Sequence, residues 1–224
     1  MSGAVSLVDA DEAVAGIEDG MTVMLGGWGL CGSPDELVAA LARAGRRNLT
    51  VIMAGSAQSD PLHAAGAVTR MITSFGSYAG TANTDRPFER RAQAGELTVE
   101  LCSQGVLAER IRAGGAGIPA FYVAAAAVGR FRSTDETRTF DGVPCVLETA
   151  LRADVALVQA TVADLAGNLS WRDGERNYNE VMCWAADRVL VEAVELCEVG
   201  EMAPEQVMVP GLAVDVLTVA PADA

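Results

Sequence analysis

The sequence predicts an α/β fold: a single domain built on a parallel or mixed sheet, with helices on both faces. Short apolar runs of strand length alternate with helical patterns, and several of these runs end in loops of glycine or small polar residues. The length of 224 residues suits one domain, and no linker or internal repeat divides it. We therefore treat residues 1–224 as one predicted domain.

The predicted elements begin with a helix over residues 9–19, in which Asp9 and Glu12 have the spacing of a capping box. Apolar strands over 21–25 and 49–53 flank a second helix, which predicts a parallel βαβ unit with a right-handed crossover. The later predicted elements are strand 68–73, loop 74–86, helix 87–94, strand 97–101, helix 106–113, strand 118–127, a polar stretch over 130–138, helix 146–153, strand 155–161, a turn at 167–168, helix 178–186 and strands 188–193 and 212–219.

A glycine-rich loop follows the first strand of this unit. Gly26, Gly27, Gly29 and Gly32 lie within seven residues, and glycines allow positive φ angles or a close approach of the backbone to a ligand. In open α/β sheets such a loop lies at the carboxyl edge, where ligands bind. The loop therefore predicts a binding site, and a tight turn without a ligand is the alternative interpretation.

The helix after this loop carries its own start signals. Ser33 is the expected N-cap, Pro34 the first helical residue and Glu36 the capping-box partner. Asp35 and Glu36 already use the positive end of the helix dipole. We therefore expect a neutral part of a ligand along the glycines, rather than a phosphate at the helix end.

The acidic composition excludes several partners. A formal net charge of −14 disfavours nucleic acid and anionic membrane surfaces, and phosphates of a ligand would need cations such as Arg86, Arg90 and Arg91 or those of a second chain. No apolar run reaches the roughly 18 residues of a membrane span. The first residues lack a secretory pattern, and the five cysteines are widely spaced, which together predict a cytoplasmic protein with reduced thiols.

No set of side chains in the sequence has the pattern of a self-sufficient active site. His63 is the sole histidine, no Gly-x-Ser-x-Gly elbow is present, and no motif predicts a metal ion. Gln104 follows a predicted strand and precedes a glycine, a place from which its amide could stabilise an oxyanion in acyl transfer. A polar residue at the start of a helix is the alternative interpretation of Gln104.

Two blocks of the sequence stand out: the first covers residues 19–34, and the second comprises residues 95–97, Gln104-Gly105 and residues 107–121. Together they resemble the alpha subunit of family I coenzyme A transferases, with Trp28 where the family usually has Phe. Shorter matches extend the similarity along the chain, at 140–142, 151–154, 167–168 and 177–179.

The resemblance implies a protein that moves coenzyme A (CoA) between an acyl-CoA, such as succinyl-CoA, and a 3-oxoacid or related carboxylate. It implies a partner, the beta subunit, in a heterodimer or heterotetramer, and a nucleophilic glutamate in a Ser-Glu-Asn-Gly segment of that partner. This tetrapeptide does not occur here. CoA would be a substrate, with no tightly bound cofactor. The implied oxyanion contact is Gln104, and the implied CoA contacts are Leu25, Gly26, Gly27, Trp28, Gly29, Leu30 and Cys31.

Two departures from the family pattern concern the acyl group. Ala54-Gly55 stands where the family often has two asparagines, and the apolar run 123–128 replaces a threonine-rich segment. Both changes remove polar side chains near the expected acyl pocket, and they favour an acid that is larger or more apolar than acetoacetate. They leave two alternatives open: a subunit of a ring hydrolase that cleaves a carbon–carbon bond in a CoA ester, and a non-catalytic acyl-CoA-binding subunit.

Overall fold

The computed structural model describes residues 5–29, 31–76 and 86–221. The strands in these ranges are β1 (Ser6–Leu7), β2 (Thr22–Leu25), β3 (Leu49–Met53), β4 (Val68–Thr73), β5 (Thr98–Leu101), β6 (Ala120–Ala124), β7 (Thr137–Phe140), β8 (Val143–Thr149), β9 (Ala153–Asp164), β10 (Leu169–Ser170), β11 (Ala186–Cys197) and β12 (Val216–Val219). The α-helices are α1 (Ala10–Val14), α2 (Asp35–Arg43), α3 (Asp60–Ala64), α4 (Pro87–Gln93), α5 (Gln104–Gly115), α6 (Ala125–Val128) and α7 (Asn179–Ala185).

The main sheet has the strand order β1-β12-β11-β9-β2-β3-β4-β5, and every pair along it is parallel. The short strand β10 adds an antiparallel pairing to β9. From the centre, the chain builds outward from β2 to β5 on one side and from β9 to β12 on the other. The strand order therefore reverses between β2 and β9, and at such a switch point open α/β sheets bind their ligands.

Helices cover both faces of the main sheet, as predicted. Alternate residues of a strand point to opposite faces, so Met24 packs in one hydrophobic core whereas Val23 and Leu25 pack in the other. The core around Met24 includes residues of α5 and α7, and the core around Leu25 includes residues of α1 to α4. The α/β prediction is thus confirmed.

A second, three-stranded antiparallel sheet has the order β6-β8-β7. Its central strand, β8, overlaps the segment 146–153, so the helix predicted there is wrong. The segment pairs with a strand on each side, and such pairing between distant residues overrides a local helical pattern. The strand predicted over 118–127 ends earlier, at Ala124, and α6 follows it.

The helix starts agree only in part with the expected caps. The Glu12 N–H donates to Oδ1 of Asp9 at 2.8 Å, as the capping pattern predicted. Ser33 does not cap α2: its hydroxyl donates to the carboxylate of Asp35, and the helix begins one residue later than expected. The capping-box role of Glu36 is also wrong, because its carboxylate pairs with Arg43 at 2.7 Å.

Some predictions lie outside the described residues. Leu30 is among them, as is most of the loop predicted over 74–86. Within the ranges that the structure describes, none of the helices is both long enough and apolar enough to pass through a membrane.

Candidate active site

The glycine loop leaves β2 at the switch point and folds into a tight turn. The Gly26 N–H donates to the Leu157 carbonyl of β9 at 2.9 Å. Trp28 and Cys31 then exchange two backbone hydrogen bonds of 3.0 Å, which closes the turn. Gly29 lies inside it with a φ of 63°, a backbone angle that residues other than glycine rarely adopt.

Two of the loop glycines are required by the protein's own packing. A Cβ atom on Gly26 would lie 1.8 Å from Oδ1 of Asn179, and one on Gly32 would lie 2.6 Å from the Glu175 carbonyl. The sequence predicted that these glycines make room for a ligand close to the backbone. At these two positions, a segment from the other end of the chain occupies the space.

Asn179 fixes the loop through its buried side-chain amide. Its Nδ2 donates to the carbonyls of Gly32 and Glu175, both at 2.8 Å, and its Oδ1 accepts the N–H of Gln159 at 3.0 Å. Because Gln159 belongs to β9, Asn179 ties the loop to a central strand of the sheet. Asn177 adds a bond from its Nδ2 to the Cys31 carbonyl at 3.2 Å.

Tyr178, between these two asparagines, joins the two predicted site regions. Its ring stacks on Trp28 with a centroid separation of 6.3 Å and an interplanar angle of 22°. Its hydroxyl donates to the Gln104 carbonyl at 3.2 Å. Burial raises the pKa of Tyr178 to about 12, so the phenol keeps its proton near neutral pH. Phe75 meets the Trp28 ring edge-on at 5.3 Å.

An open cleft of about 510 Å³ lies between the glycine loop and α5. Trp28 and Gln104 both face it, although they are far apart in sequence. Gln104 is exposed and opens α5, so its amide lies at the cleft without being covered by other described residues. The cleft is lined by Trp28, Gln104, Gly105, Ala108, Asn177, Tyr178 and Val181.

The other predicted CoA contacts differ in their accessibility. The Leu25 side chain is fully buried in the core beneath the loop, and Gly26 and Gly27 are buried as well. Gly29 is half-buried, with its carbonyl bonded to the Gln58 side chain, and Cys31 is exposed. Contact between these residues and CoA stays a prediction.

His63 lies away from the cleft, in the core between α3 and α4. Its ring meets Phe88 edge-on at 5.3 Å, and 1% of the residue is exposed. Burial, assisted by the charges of Arg91 and Arg86, lowers the pKa of His63 to about 4. The structure therefore places this histidine as a neutral core residue.

Sequence reasoning missed Glu192, a buried carboxyl group at the far end of the loop. Its Oε2 accepts the N–H of Leu37, in the first turn of α2, at 2.9 Å. The one available signal was an acid between the apolar residues 189–191 and 193–194. Tyr178 and Asn179 were noted only as part of a matching block, because their contacts depend on the fold.

Comparison with known proteins identifies similar chains. The family model "Coenzyme A transferase" matches residues 7–220. The A subunit of succinyl-CoA:3-ketoacid coenzyme A transferase from Xanthomonas campestris pv. campestris is 43% identical over 219 residues, which cover 96% of this chain and 88% of that protein. Among solved structures, the decarboxylase AibA/AibB is 28% identical with a TM-score of 0.83, covering 99% of this chain and 85% of that one. Glutaconate coenzyme A-transferase from Acidaminococcus fermentans is 25% identical with a TM-score of 0.83, covering 96% and 76%.

Proposed function

The chain belongs to the coenzyme A transferase family, and from this premise we propose that it is the alpha subunit of a heteromeric CoA-transferase. The enzyme moves CoA between an acyl-CoA, such as succinyl-CoA, and a 3-oxoacid or related carboxylate. One observation carries the proposal: the glycine loop and Gln104 border one cleft at the switch point of the sheet, and Tyr178 connects them.

The partner subunit supplies the nucleophile. Among the described residues that line the cleft, none carries a carboxylate, whereas the reaction needs one to attack the thioester. A beta-subunit glutamate attacks the thioester carbonyl and expels the CoA thiolate, which leaves an acyl-glutamyl anhydride. The thiolate then attacks the glutamyl carbonyl and releases the acid. The glutamyl-CoA thioester so formed passes CoA to the second acid by the reverse steps.

Gln104 acts as the hydrogen-bond donor in these steps. Each attack on a carbonyl places negative charge on its oxygen, and a preorganised amide N–H stabilises that charge. The bond from the Tyr178 hydroxyl to the backbone carbonyl of Gln104 supports this role, because it holds the first turn of α5 beside the loop. The backbone position of Gln104 is thereby fixed while its side chain stays exposed.

Residues 25–31 hold the thioester end of CoA, a substrate, and no tightly bound cofactor is needed. The half-buried Trp28 ring offers an aromatic surface at the cleft. The described lining carries no cation, and three carboxylates, those of Asp35, Glu36 and Glu192, lie in or against the first turn of α2. The phosphates of CoA therefore bind away from this helix end, on other residues of the complex.

The test is reconstitution with a beta subunit that contains the Ser-Glu-Asn-Gly segment. We expect transfer of CoA by the pair and a partner glutamate that is trapped as a CoA thioester. Gln104→Ala should lower kcat by about 100- to 1000-fold, the usual cost of one oxyanion donor. Gln93→Ala, an exposed glutamine of α4, is the matched control. Unchanged turnover in Gln104→Ala would instead indicate a protein that binds acyl-CoA without a catalytic role.

A second candidate is cleavage of a carbon–carbon bond in a CoA ester, as in the ring-hydrolase alternative. The likeness to the decarboxylase AibA/AibB supports it, as does Ala54-Gly55 at the end of β3, where the buried Ala54 offers no polar side chain. The products distinguish the two. Transfer requires a second carboxylic acid and moves CoA onto it, whereas bond cleavage proceeds without that acid and leaves CoA on the product.

The acyl group is the remaining element of the proposal. We propose an acid that is larger or more apolar than acetoacetate, because the replaced family positions at 54–55 and 123–128 are apolar or glycine. A panel of acceptor acids that differ in chain length tests this. Equal or faster turnover with acetoacetate contradicts it.

A further inference from the structure

The end of the glycine loop enters α2 without a side-chain cap from its own neighbourhood. Pro34 occupies the N-cap position and Ser33 is turned toward Asp35, so neither accepts an N–H of the first turn. The first N–H groups of a helix have no partner within the helix, and a side-chain acceptor usually provides one. The acceptor must therefore come from elsewhere in the fold.

Glu192 of β11 provides that acceptor. Its Oε2 lies 2.9 Å from the Leu37 nitrogen, although the two residues are 155 positions apart. The residue is 3% exposed. On the neighbouring strands, Gln159 of β9 and Thr218 of β12 are its register partners, and both are uncharged. Glu192 thus approaches α2 from beneath, from within the sheet.

We propose that Glu192 is a positioning residue whose ionised carboxylate fixes the first turn of α2, and with it the Gly32–Pro34 end of the glycine loop, in the conformation that binds the CoA ester. This inference rests on the proposed function, because its main readout is the binding of a CoA ester. A carboxylate accepts an N–H more strongly than a neutral carboxyl does. Affinity for the ester therefore follows the ionisation of Glu192.

The surroundings of Glu192 place its ionisation near neutral pH. Burial raises the pKa of Glu192 to about 7, the Leu37 and Glu36 N–H groups oppose the rise, and the charges of Asp35 and Glu36 add to it. Four charged side chains, those of Asp9, Asp11, Glu36 and Arg43, border a groove next to Thr218. Arg43 is paired with Asp11 and Glu36.

The experiment compares Glu192→Gln with the wild type in the reconstituted complex, over about pH 5.5 to 8.5, a span centred on the pKa of about 7. We expect the wild-type KM for the acyl-CoA to fall several-fold as the pH rises through 7. Glu192→Gln keeps the shape of the carboxyl but cannot ionise, so its KM should stay high and flat. Its kcat at saturation should change much less.

Glu195→Gln is the matched control, because Glu195 lies on the same strand but is exposed and pairs with Arg172. It should keep the wild-type KM profile. The proposal is overturned if Glu192→Gln retains the wild-type pH dependence of KM, or if it lowers only the stability of the fold. It is equally overturned if Glu195→Gln flattens the profile to the same extent.

A second measurement needs only the wild-type chain and serves if Glu192→Gln does not fold. Amide hydrogen exchange of Leu37, corrected for the intrinsic pH dependence and expressed relative to the buried core amide of Leu190, should show protection that weakens as the pH falls below 7. Protection that does not change with pH overturns the proposal. Because this experiment requires no turnover, it separates a failure of the Glu192 inference from a failure of the transferase assignment, which would show as absent CoA transfer.

Discussion

The two ends of the glycine loop are anchored by different chemistry. Gly26, at the start, packs against the neutral amide of Asn179, which makes three hydrogen bonds, one of them to the Gly32 carbonyl. At the end, the first turn of α2 rests on the carboxyl group of Glu192. An amide does not titrate, whereas this carboxyl does. One loop thus combines an anchor that is insensitive to pH with one that responds to it.

The largest expected effect is on stability, at the amide anchor. Asn179→Ala removes the partner of two buried backbone groups, at Gly32 and Gln159, and of a partly buried one at Glu175. Each such group costs about 1–3 kcal/mol, so we expect a loss of roughly 3–5 kcal/mol in the free energy of unfolding. Denaturant unfolding measures it.

Asn177→Ala is the control for this prediction, because Asn177 is only half-buried and its link to the loop is the single bond to Cys31. It should cost about 1 kcal/mol or less. An equal loss in the two variants would show that the amide of Asn179 is not the main anchor.

The next effect is the pH dependence that Glu192 gives to the stability of the fold. The pKa of Glu192 is raised from 4.5 to about 7 in the folded protein, so the folded state holds a proton that the unfolded state releases. This contribution to stability is complete below pH 4.5 and is lost as the pH rises through 7. The full change is about 3 kcal/mol. Glu192→Gln should remove this slope from the free energy of unfolding, whereas Asn179→Ala should leave it intact.

His63 supplies an effect of similar size and opposite sign. Its pKa is lowered from 6.5 to about 4, so the unfolded state binds the proton more readily. The contribution is complete above pH 6.5 and is lost as the pH falls through 4, by about 3 kcal/mol in total. His63→Leu should flatten the acid side of the stability profile. If it flattens the same pH region as Glu192→Gln in the same direction, the assignment of the two slopes is wrong.

The smallest effect is expected at Trp28. Trp28→Phe keeps an aromatic ring on Tyr178, so the affinity for the CoA ester should fall by no more than about 1 kcal/mol, the value of one aromatic pair. Trp28→Ala should cost more, because it removes the stacking altogether. Isothermal titration with the ester measures both, and Trp184→Phe, on the exposed surface of α7, is the control. Equal losses in the two Trp28 variants would mean that the indole itself makes the contact.

The parts of the molecule that were predictable from sequence are those set by local pattern. The β2-α2-β3 unit follows from apolar periodicity, and the cap at Asp9 follows from a spacing of three residues. The cap predicted at Ser33 failed because its hydroxyl donates instead to Asp35, two residues further on. Strand β8 was missed because its pairing partners lie outside the segment itself.

The candidate site shows the same division. Trp28 and Gln104 were both predicted to line a site, and the structure brings them to one cleft. Neither anchor of the loop was identified, because Asn179 and Glu192 act on residues 147 and 155 positions away. No local spacing encodes a hydrogen bond of that range. Only the reversal of strand order between β2 and β9, a property of the whole topology, brings these segments together.

The position of the two anchors also sets when the loop is completed during protein synthesis. Residues 26–37 leave the ribosome early, but Asn179 and Glu192 are made only after more than three quarters of the chain, and N-terminal parts of a chain begin folding during synthesis. Until then the loop has neither its amide anchor nor its carboxyl anchor. The proposed binding surface therefore forms late, and a nascent chain that ends before β11 carries the glycines without the structure that shapes them.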